Sequence, residues 1–184
     1  MVWDGTLFYA LNSLTGWSDS TDSLIVFFAA VAPCIIVAVF LYFLFVYVHP
    51  KRERWYVGWT VALTIIIARF GVVELVHTLY HRPRPFLVLT GHTLLSDGWF
   101  YADNTWSFPS AHATIFFAMA TVVYLHNKQW GMAFFAAAVV VSVSRVIAGV
   151  HYPSDIVAGM IVGVAVAVVV NYYVTRRFRF PHTR

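Results

Sequence analysis

The sequence predicts an all-α membrane protein, a polytopic bundle of about five transmembrane helices preceded by an N-terminal amphipathic helix at the interface. Three observations point there. Of the 184 residues, 60% are hydrophobic and only 11% are charged, less than half the ~25% charge of a soluble domain. The apolar residues gather in runs close to the ~20 residues that a spanning helix needs. The basic residues stand in the short loops that flank those runs.

The elements follow in order. Trp3, Leu7, Phe8, Leu11 and Leu14 fall at helical spacing in a segment too short to span, so residues 1–22 read as an interfacial segment. Leu24 to Val48 is a first span without a charge, and Trp55 to Val76 is a second with Arg69 and Glu74 embedded. Those two lie about a turn and a half apart and are expected to pair through a neighbouring helix or water, because neither is left bare in lipid without cost. Ala113 to Leu125 is a short third run that extends through Pro109 to His126; Gly131 to Ala148 and Ile156 to Thr175 complete the set. Together they form one domain, with a transmembrane core over 23–175 and a basic tail over 176–184. The N-terminus carries no Lys or Arg ahead of its apolar stretch and no small-residue cleavage site, so it does not read as a signal peptide. Cys34 is the single cysteine. It excludes an intramolecular disulfide and a cysteine-based zinc site, and reads as a small buried hydrophobe.

Charge sets the orientation. Lys51, Arg52 and Arg54 follow the first span, Lys128 the third, and Arg176, Arg177, Arg179 and Arg184 the fifth, eight of the twelve basic residues on one side. The positive-inside rule makes that side cytoplasmic. The formal net charge of +4 is therefore a topology signal and not a nucleic-acid footprint. Asp4, Asp19, Asp22, Asp97 and Asp103 fall on the opposite side. So does the loop Leu87 to Ser107, whose Trp99, Phe100, Tyr101 and Trp106 read as an interface anchor or a lid.

The same outer side holds three polar clusters. In Phe108-Pro109-Ser110-Ala111-His112, Ser110 is an N-cap immediately before an apolar run. Its helix start offers unsatisfied N–H groups and a positive dipole end to phosphate oxygens, with His112 in the first turn beside them. In Ser144-Arg145-x5-His151-x3-Asp155, Pro153 and Ser154 open the fifth span. Asp155 then lies in the first turn, where the dipole keeps it ionised. It can reach back to one ring nitrogen of His151 and leave the other free to attack. Arg145 can fork onto a phosphoryl group. In His81-Arg82-Pro83-Arg84-Pro85-Phe86 the prolines end the second span and hold the chain extended, aiming Arg82 and Arg84 at the outer surface. Taken singly, the clusters also fit a capped helix, a His–Asp cap with a snorkelling Arg, and membrane-edge arginines. Their joint occurrence at one membrane face carries the functional reading.

These motifs resemble the three-part signature of the type-2 phosphatidic-acid phosphatase superfamily: Lys-x6-Arg-Pro, Pro-Ser-Gly-His and Ser-Arg-x5-His-x3-Asp. The third matches in full, the second has Ala111 at the Gly position, and the first matches at Arg84-Pro85 with His77 at the Lys position. The resemblance implies that His151 attacks phosphorus to form a phosphohistidine, that Asp155 orients it, and that His112 protonates the leaving group. It implies that Arg84, Arg145 and the amides after Ser110, Ala111 among them, hold the phosphoryl oxygens without a metal or other cofactor. His77 and Arg82 join the phosphate-binding set: an exposed His titrates near ~6.5, so either Arg82 supplies the charge of the missing Lys or phosphate binding weakens as pH rises.

Within the superfamily, the small size, the N-terminal segment, the His-Arg-Pro-Arg-Pro-Phe junction and Asn104-x2-Ser-Phe-Pro-Ser-x-His resemble bacterial undecaprenyl-diphosphatases, which recycle the polyprenyl carrier of cell-wall synthesis. The implied partners are membrane lipids and a polyprenyl or phospholipid phosphate substrate, with no nucleic acid. The implied place is the cytoplasmic membrane, with the site on its outer face. Phosphatidic acid, phosphatidylglycerophosphate and lipid A phosphate stay open as substrates. A non-catalytic anion or lipid transporter and an inactive scaffold stay open as alternatives.

Overall fold

A computed structural model describes residues 2–95 and 106–178. The regular elements among them are helices: α1 (Val2–Asn12), α2 (Asp19–Tyr47), α3 (Lys51–Leu79), the single turn α4 (Pro85–Val88), α5 (Ala111–His126), α6 (Lys128–Ile147) and α7 (Pro153–Phe178). Helices α2, α3, α6 and α7 are long and apolar enough to cross a membrane, whereas α5 has 16 residues and a length of ~24 Å. The five expected spans are therefore four long helices around a shorter one. The lid-or-anchor reading of Trp99, Phe100 and Tyr101, the acidic Asp97 and Asp103, and the tail residues Arg179 and Arg184 lie outside the described residues.

Helix α5 is apolar on all sides and is buried accordingly. From Ala113 to Val123 every side chain but Ile115 is buried, packed by α3, α6 and α7. Phe43, Val57, Phe116, Phe117, Val122, Phe134 and Val141 share this core. The outer surface is apolar as well, with Leu24, Val37, Ile66, Phe70, Val139, Ile161 and Val169 exposed, as suits helices solvated by lipid. Cys34 belongs to this outer surface, contrary to the buried position expected of it, because its side of α2 faces away from the bundle. Five interior hydroxyls are satisfied locally: Thr60, Thr64, Thr114, Thr121 and Ser144 each donate to the carbonyl four residues back, as hydroxyls inside helices do.

Two close approaches set the geometry around α5. The α5–α6 connection is Asn127 alone, whose side chain caps α6 by accepting from Trp130 N at 3.0 Å. On the other side, Gly159 and Gly163 of α7 lie against the first turns of α5. A Cβ on Gly163 would stand 2.4 Å from the Thr114 carbonyl oxygen, and one on Gly159 would stand 2.6 Å from that of Ser110. The pair is a small-residue contact of the kind that lets membrane helices approach backbone to backbone.

Arg69 and Glu74 pair directly, Nη1 to Oε2 at 2.9 Å, and not through a neighbouring helix or water. Ile66–Val73 is a π-helical stretch, and its i→i+5 register brings residues five apart onto one face.

The N-terminal segment is a helix that buries only part of its apolar stripe, together with two polar residues. Trp3 and Leu7 point outward, while Asp4, Phe8 and Asn12 are buried. Phe8 packs on Val146 and Tyr152. Asn12 Nδ2 donates to the carbonyls of His92 and Ile147, both at 2.8 Å, and Asn12 Oδ1 accepts from His92 N at 3.0 Å. Helix α1 is thus held on the α6–α7 junction by polar groups.

The bundle has two unlike ends. Phe43, Tyr47, His126 and Trp130 cluster at one of them. The Tyr56 hydroxyl bonds Asn171 and Thr175 at the same end, which gathers Lys51, Arg52, Arg54, Lys128, Arg176 and Arg177 there. All three motifs lie at the other end. Gly163→Ala is expected to lower the melting temperature in detergent micelles clearly, because the Thr114 carbonyl cannot give way. Gly71→Ala, whose Cβ would meet nothing within 4 Å, is expected to leave it nearly unchanged; equal shifts for the two would contradict the close α5–α7 contact.

Candidate active site

The third motif is built by a helix end, a turn and a helix start. Helix α6 closes in a Schellman arrangement, with Gly149 N donating to the Val146 carbonyl at 3.0 Å and Val150 N to that of Arg145 at 3.2 Å. Gly149 has φ 83°, a conformation that only glycine adopts without cost. The Arg145-x5-His151 spacing is therefore one helix termination. Arg145 sits in the last turn, and His151 leaves the turn next to it.

Arg145 is buried and donates from Nη1 to the Ala29 carbonyl at 3.1 Å. Pro33, four residues further along α2, has no N–H to offer that carbonyl. The bond to Ala29 fixes how Arg145 is aimed.

Helix α7 begins at Pro153, with Tyr152 in the N-cap position. Ser154 was expected to help cap this helix, but it lies inside the first turn and its hydroxyl turns elsewhere. The capping contact comes from Asp155, whose Oδ2 accepts from Tyr152 N at 2.8 Å, as an N3 carboxylate does in a capping box. The same Oδ2 lies 3.4 Å from His151 Nδ1, longer than a fully formed hydrogen bond and of the kind that shortens when a substrate binds. At the opposite ring nitrogen, Arg84 Nη1 stands 3.4 Å from His151 Nε2 and donates to the Val150 carbonyl at 3.1 Å. An acceptor 3.4 Å from Nδ1 and a guanidinium 3.4 Å from Nε2 favour the tautomer with its proton on Nδ1. Nε2 then keeps its lone pair.

The second motif docks on the third through the backbone, Ser110 N donating to the Asp155 carbonyl at 3.0 Å. Ser110 caps α5, its Oγ accepting from Ala113 N at 3.5 Å. The Ala111 and His112 amides thus belong to a first turn whose N–H groups have no intrahelical acceptor. The His112 ring, half-buried, shares its electrostatic surroundings with Arg145, His151 and Arg84.

Of the sequence-derived residues, His151, Asp155, Arg84, Arg145, Ser110, Ala111 and His112 come together, and His77 lies within electrostatic reach of Arg84 and His151. Two do not behave as expected. His77 is buried, not exposed, because the last turn of α3 runs beneath Pro109; its Nε2 lies 3.4 Å from the Pro109 carbonyl. Arg82 does not point to the phosphate side. Its Nη1 donates to Asp155 Oδ1 at 2.7 Å, its Nη2 to Asp4 Oδ2 at 2.5 Å, and its guanidinium lies 3.9 Å over the Tyr152 ring. Ser107, which enters the sequence reading only as a position in the Asn104-x2-Ser-Phe-Pro-Ser-x-His resemblance and without a role, lies against both the His151 ring and the Asp155 carboxylate. Its N donates to the Arg82 carbonyl at 2.8 Å.

Residues 55–179 match the PAP2 superfamily. The chain is 29% identical over 163 residues to undecaprenyl-diphosphatase BcrC of Bacillus subtilis, covering 87% of this chain and 78% of that protein. It is 29% identical over 134 residues to the bacitracin transport permease protein BcrC of Bacillus licheniformis, covering 73% of this chain and 63% of that one. Among solved structures, LpxE of Aquifex aeolicus superposes with a TM-score of 0.71 at 25% identity, over 91% of this chain and 94% of that one.

Burial, reinforced by the positive charges of Arg84 and Arg145, pushes the His151 imidazole well below the ordinary histidine range. Its neutral form therefore persists as pH falls past ~6.5, and the folded protein loses stability at pH values where the unfolded chain takes up that proton. Histidine NMR in micelles, differenced against His151→Ala, is expected to show this ring neutral at pH 6.5 and below; a midpoint at or above ~6.5 would contradict the assigned environment.

Proposed function

The chain belongs to the PAP2 superfamily of membrane lipid phosphatases, and we propose that it hydrolyses undecaprenyl diphosphate to the monophosphate through a phosphohistidine on His151. The observation that carries this reading is the polarised His151 ring, with Asp155 at Nδ1 and Arg84 beside an Nε2 that keeps its lone pair. A neutral imidazole held in that tautomer is an activated nucleophile.

The reaction runs in two displacements. The Nε2 lone pair attacks the terminal phosphorus, entering where Nε2 and Arg84 face each other, and the bridging P–O bond breaks. His112 gives its proton to the leaving lipid phosphate. Arg84, Arg145 and the amides of Ala111 and His112 hold the three equatorial oxygens, where the transition-state charge lies. Fixed guanidinium charges take the role that a metal ion has in other phosphoryl-transfer sites. Water then attacks the phosphohistidine, His112 removes its proton, and phosphate leaves as His151 recovers its lone pair. Asp155 keeps the Nδ1 proton in place throughout.

The diphosphate is favoured by the likeness to a protein named undecaprenyl-diphosphatase over most of both chains. The orientation rests on the basic end of the bundle. With Lys51, Arg52, Arg54, Lys128, Arg176 and Arg177 cytoplasmic, the site opens to the outer face of the cytoplasmic membrane.

Purified protein in micelles with EDTA is expected to release phosphate from undecaprenyl diphosphate faster than from phosphatidic acid or lipid A, and His151→Ala is expected to release none. Preference for another of these lipids would keep the mechanism and replace the substrate. Loss of activity on adding EDTA would contradict the metal-free mechanism. Absence of release from all three would remove the enzymatic reading in favour of lipid or anion transport.

A further inference from the structure

We propose that Asp4, on the N-terminal helix, is a positioning residue of this active site, acting through Arg82 on the carboxylate of Asp155 and so on the ring of His151. The inference rests on the phosphohistidine reading above and extends the site to a helix that carries none of the three motifs.

Asp4 is 1% exposed, a depth at which a carboxylate is retained only when it is paired and hydrogen-bonded. Its Oδ1 accepts from Ser154 N at 3.0 Å, and its Oδ2 accepts from the Ser154 hydroxyl at 2.6 Å and from Arg82 Nη2. Burial alone would raise its pKa; the bonds from Ser154 and Arg82 and the Arg82 charge outweigh this and hold it below the usual carboxylate range. The other Arg82 nitrogen, Nη1, donates to Asp155 Oδ1 at 2.7 Å and to the Ser154 hydroxyl oxygen at 2.6 Å. Ser154 Oγ thus uses its single proton on Asp4 and a lone pair on Arg82, which is all that a hydroxyl needs to be satisfied in that place. The guanidinium is a rigid bridge between two carboxylates.

That arrangement has an electrostatic consequence. Two carboxylates share one guanidinium, so the cluster keeps an excess negative charge on the side facing His151. With Asp4 neutral, Arg82 would become the full counter-ion of Asp155 and draw its charge away from the Nδ1 proton. Asp4 also fixes the Arg82 rotamer, and with it the Asp155 oxygen on which His151 depends.

Helix α1 has a second, separate tether in Asn12, bonded to His92 and Ile147. This allows the electrostatic role of Asp4 to be told apart from plain docking of the helix. The experiment measures steady-state kinetics in micelles, on whichever of the three lipid phosphates wild type hydrolyses fastest, for Asp4→Asn, Asn12→Ala, Asp155→Asn and Asp4→Asn/Asp155→Asn. Each sample is checked for a monodisperse gel-filtration peak and a cooperative melt. Asp4→Asn is expected to lower kcat by ~10–100-fold, the usual effect of removing a supporting partner from an active-site ligand, with KM changed less than about twofold. Asn12→Ala is expected to lower the melting temperature and leave kcat near wild type. The double variant is expected to be no slower than Asp155→Asn, because the two act in series.

Wild-type kcat in Asp4→Asn, an equal kcat loss in Asn12→Ala, or losses that multiply in the double variant would each overturn the inference. If Asp4→Asn is not recovered folded, Arg82→Lys is measured in its place with the same outcomes, since it leaves the Asp4–Ser154 bonds standing. Wild-type turnover that survives His151→Ala would instead remove the phosphohistidine reading on which the inference rests.

Discussion

Asp155 is where the three motifs meet. Its backbone carbonyl accepts from Ser110 of the second motif, its Oδ1 from Arg82 beside the first, and its Oδ2 from Tyr152 N within the third, with the His151 ring alongside. The residue is fully buried, and removing one partner from a buried pair costs ~3–5 kcal/mol, a large part of the ~5–15 kcal/mol by which a domain is stable. Each motif therefore has a structural reason to stay in contact with the other two, apart from what it does to a phosphate. The geometry proposed for catalysis and the docking of helix ends are the same set of bonds.

The apolar framework serves that meeting point. The glycines of α7 let its backbone lie against α5, which brings the Ser110 amide to the Asp155 carbonyl at the first turn of each helix. The Ala29 carbonyl of α2 accepts from Arg145, so the backbone of one helix aims a cation on another. The Schellman end of α6 then delivers His151 to the junction in a fixed number of residues. None of these devices is itself polar chemistry, yet each decides where a polar group stands.

Much of this was legible in the sequence. Apolar runs and their flanking charges gave the helices and their two unlike ends, because lipid imposes length and composition on every span. Motif spacings gave His151, Asp155, Ser110 and the arginines, because the spacings are helix starts and stops. What stayed hidden depends on contacts between distant parts of the chain. Asp4 meets Ser154 across 150 positions, and a lone acidic residue in an N-terminal helix gives no hint of a partner so far away. The apolar stripe on α1 read as an interfacial face, and it gave no sign that Asp4 and Asn12, beside Phe8, bind the bundle. The resemblance picks Arg84 out of the Arg-Pro-Arg-Pro run, but the run itself does not say where Arg82 goes. Only the fold sends one toward Asp4 and Asp155 and the other to the His151 ring.

In the proposed reaction His151 itself carries the phosphoryl group. Phosphohistidine survives alkaline quenching, so the direct measurement is peptide mass spectrometry on enzyme quenched in base during turnover of the best substrate. A phosphoryl group on His151, absent when substrate is omitted, is expected. Full turnover with no phosphorylated peptide, or with the group on Ser110 or His112, would contradict it.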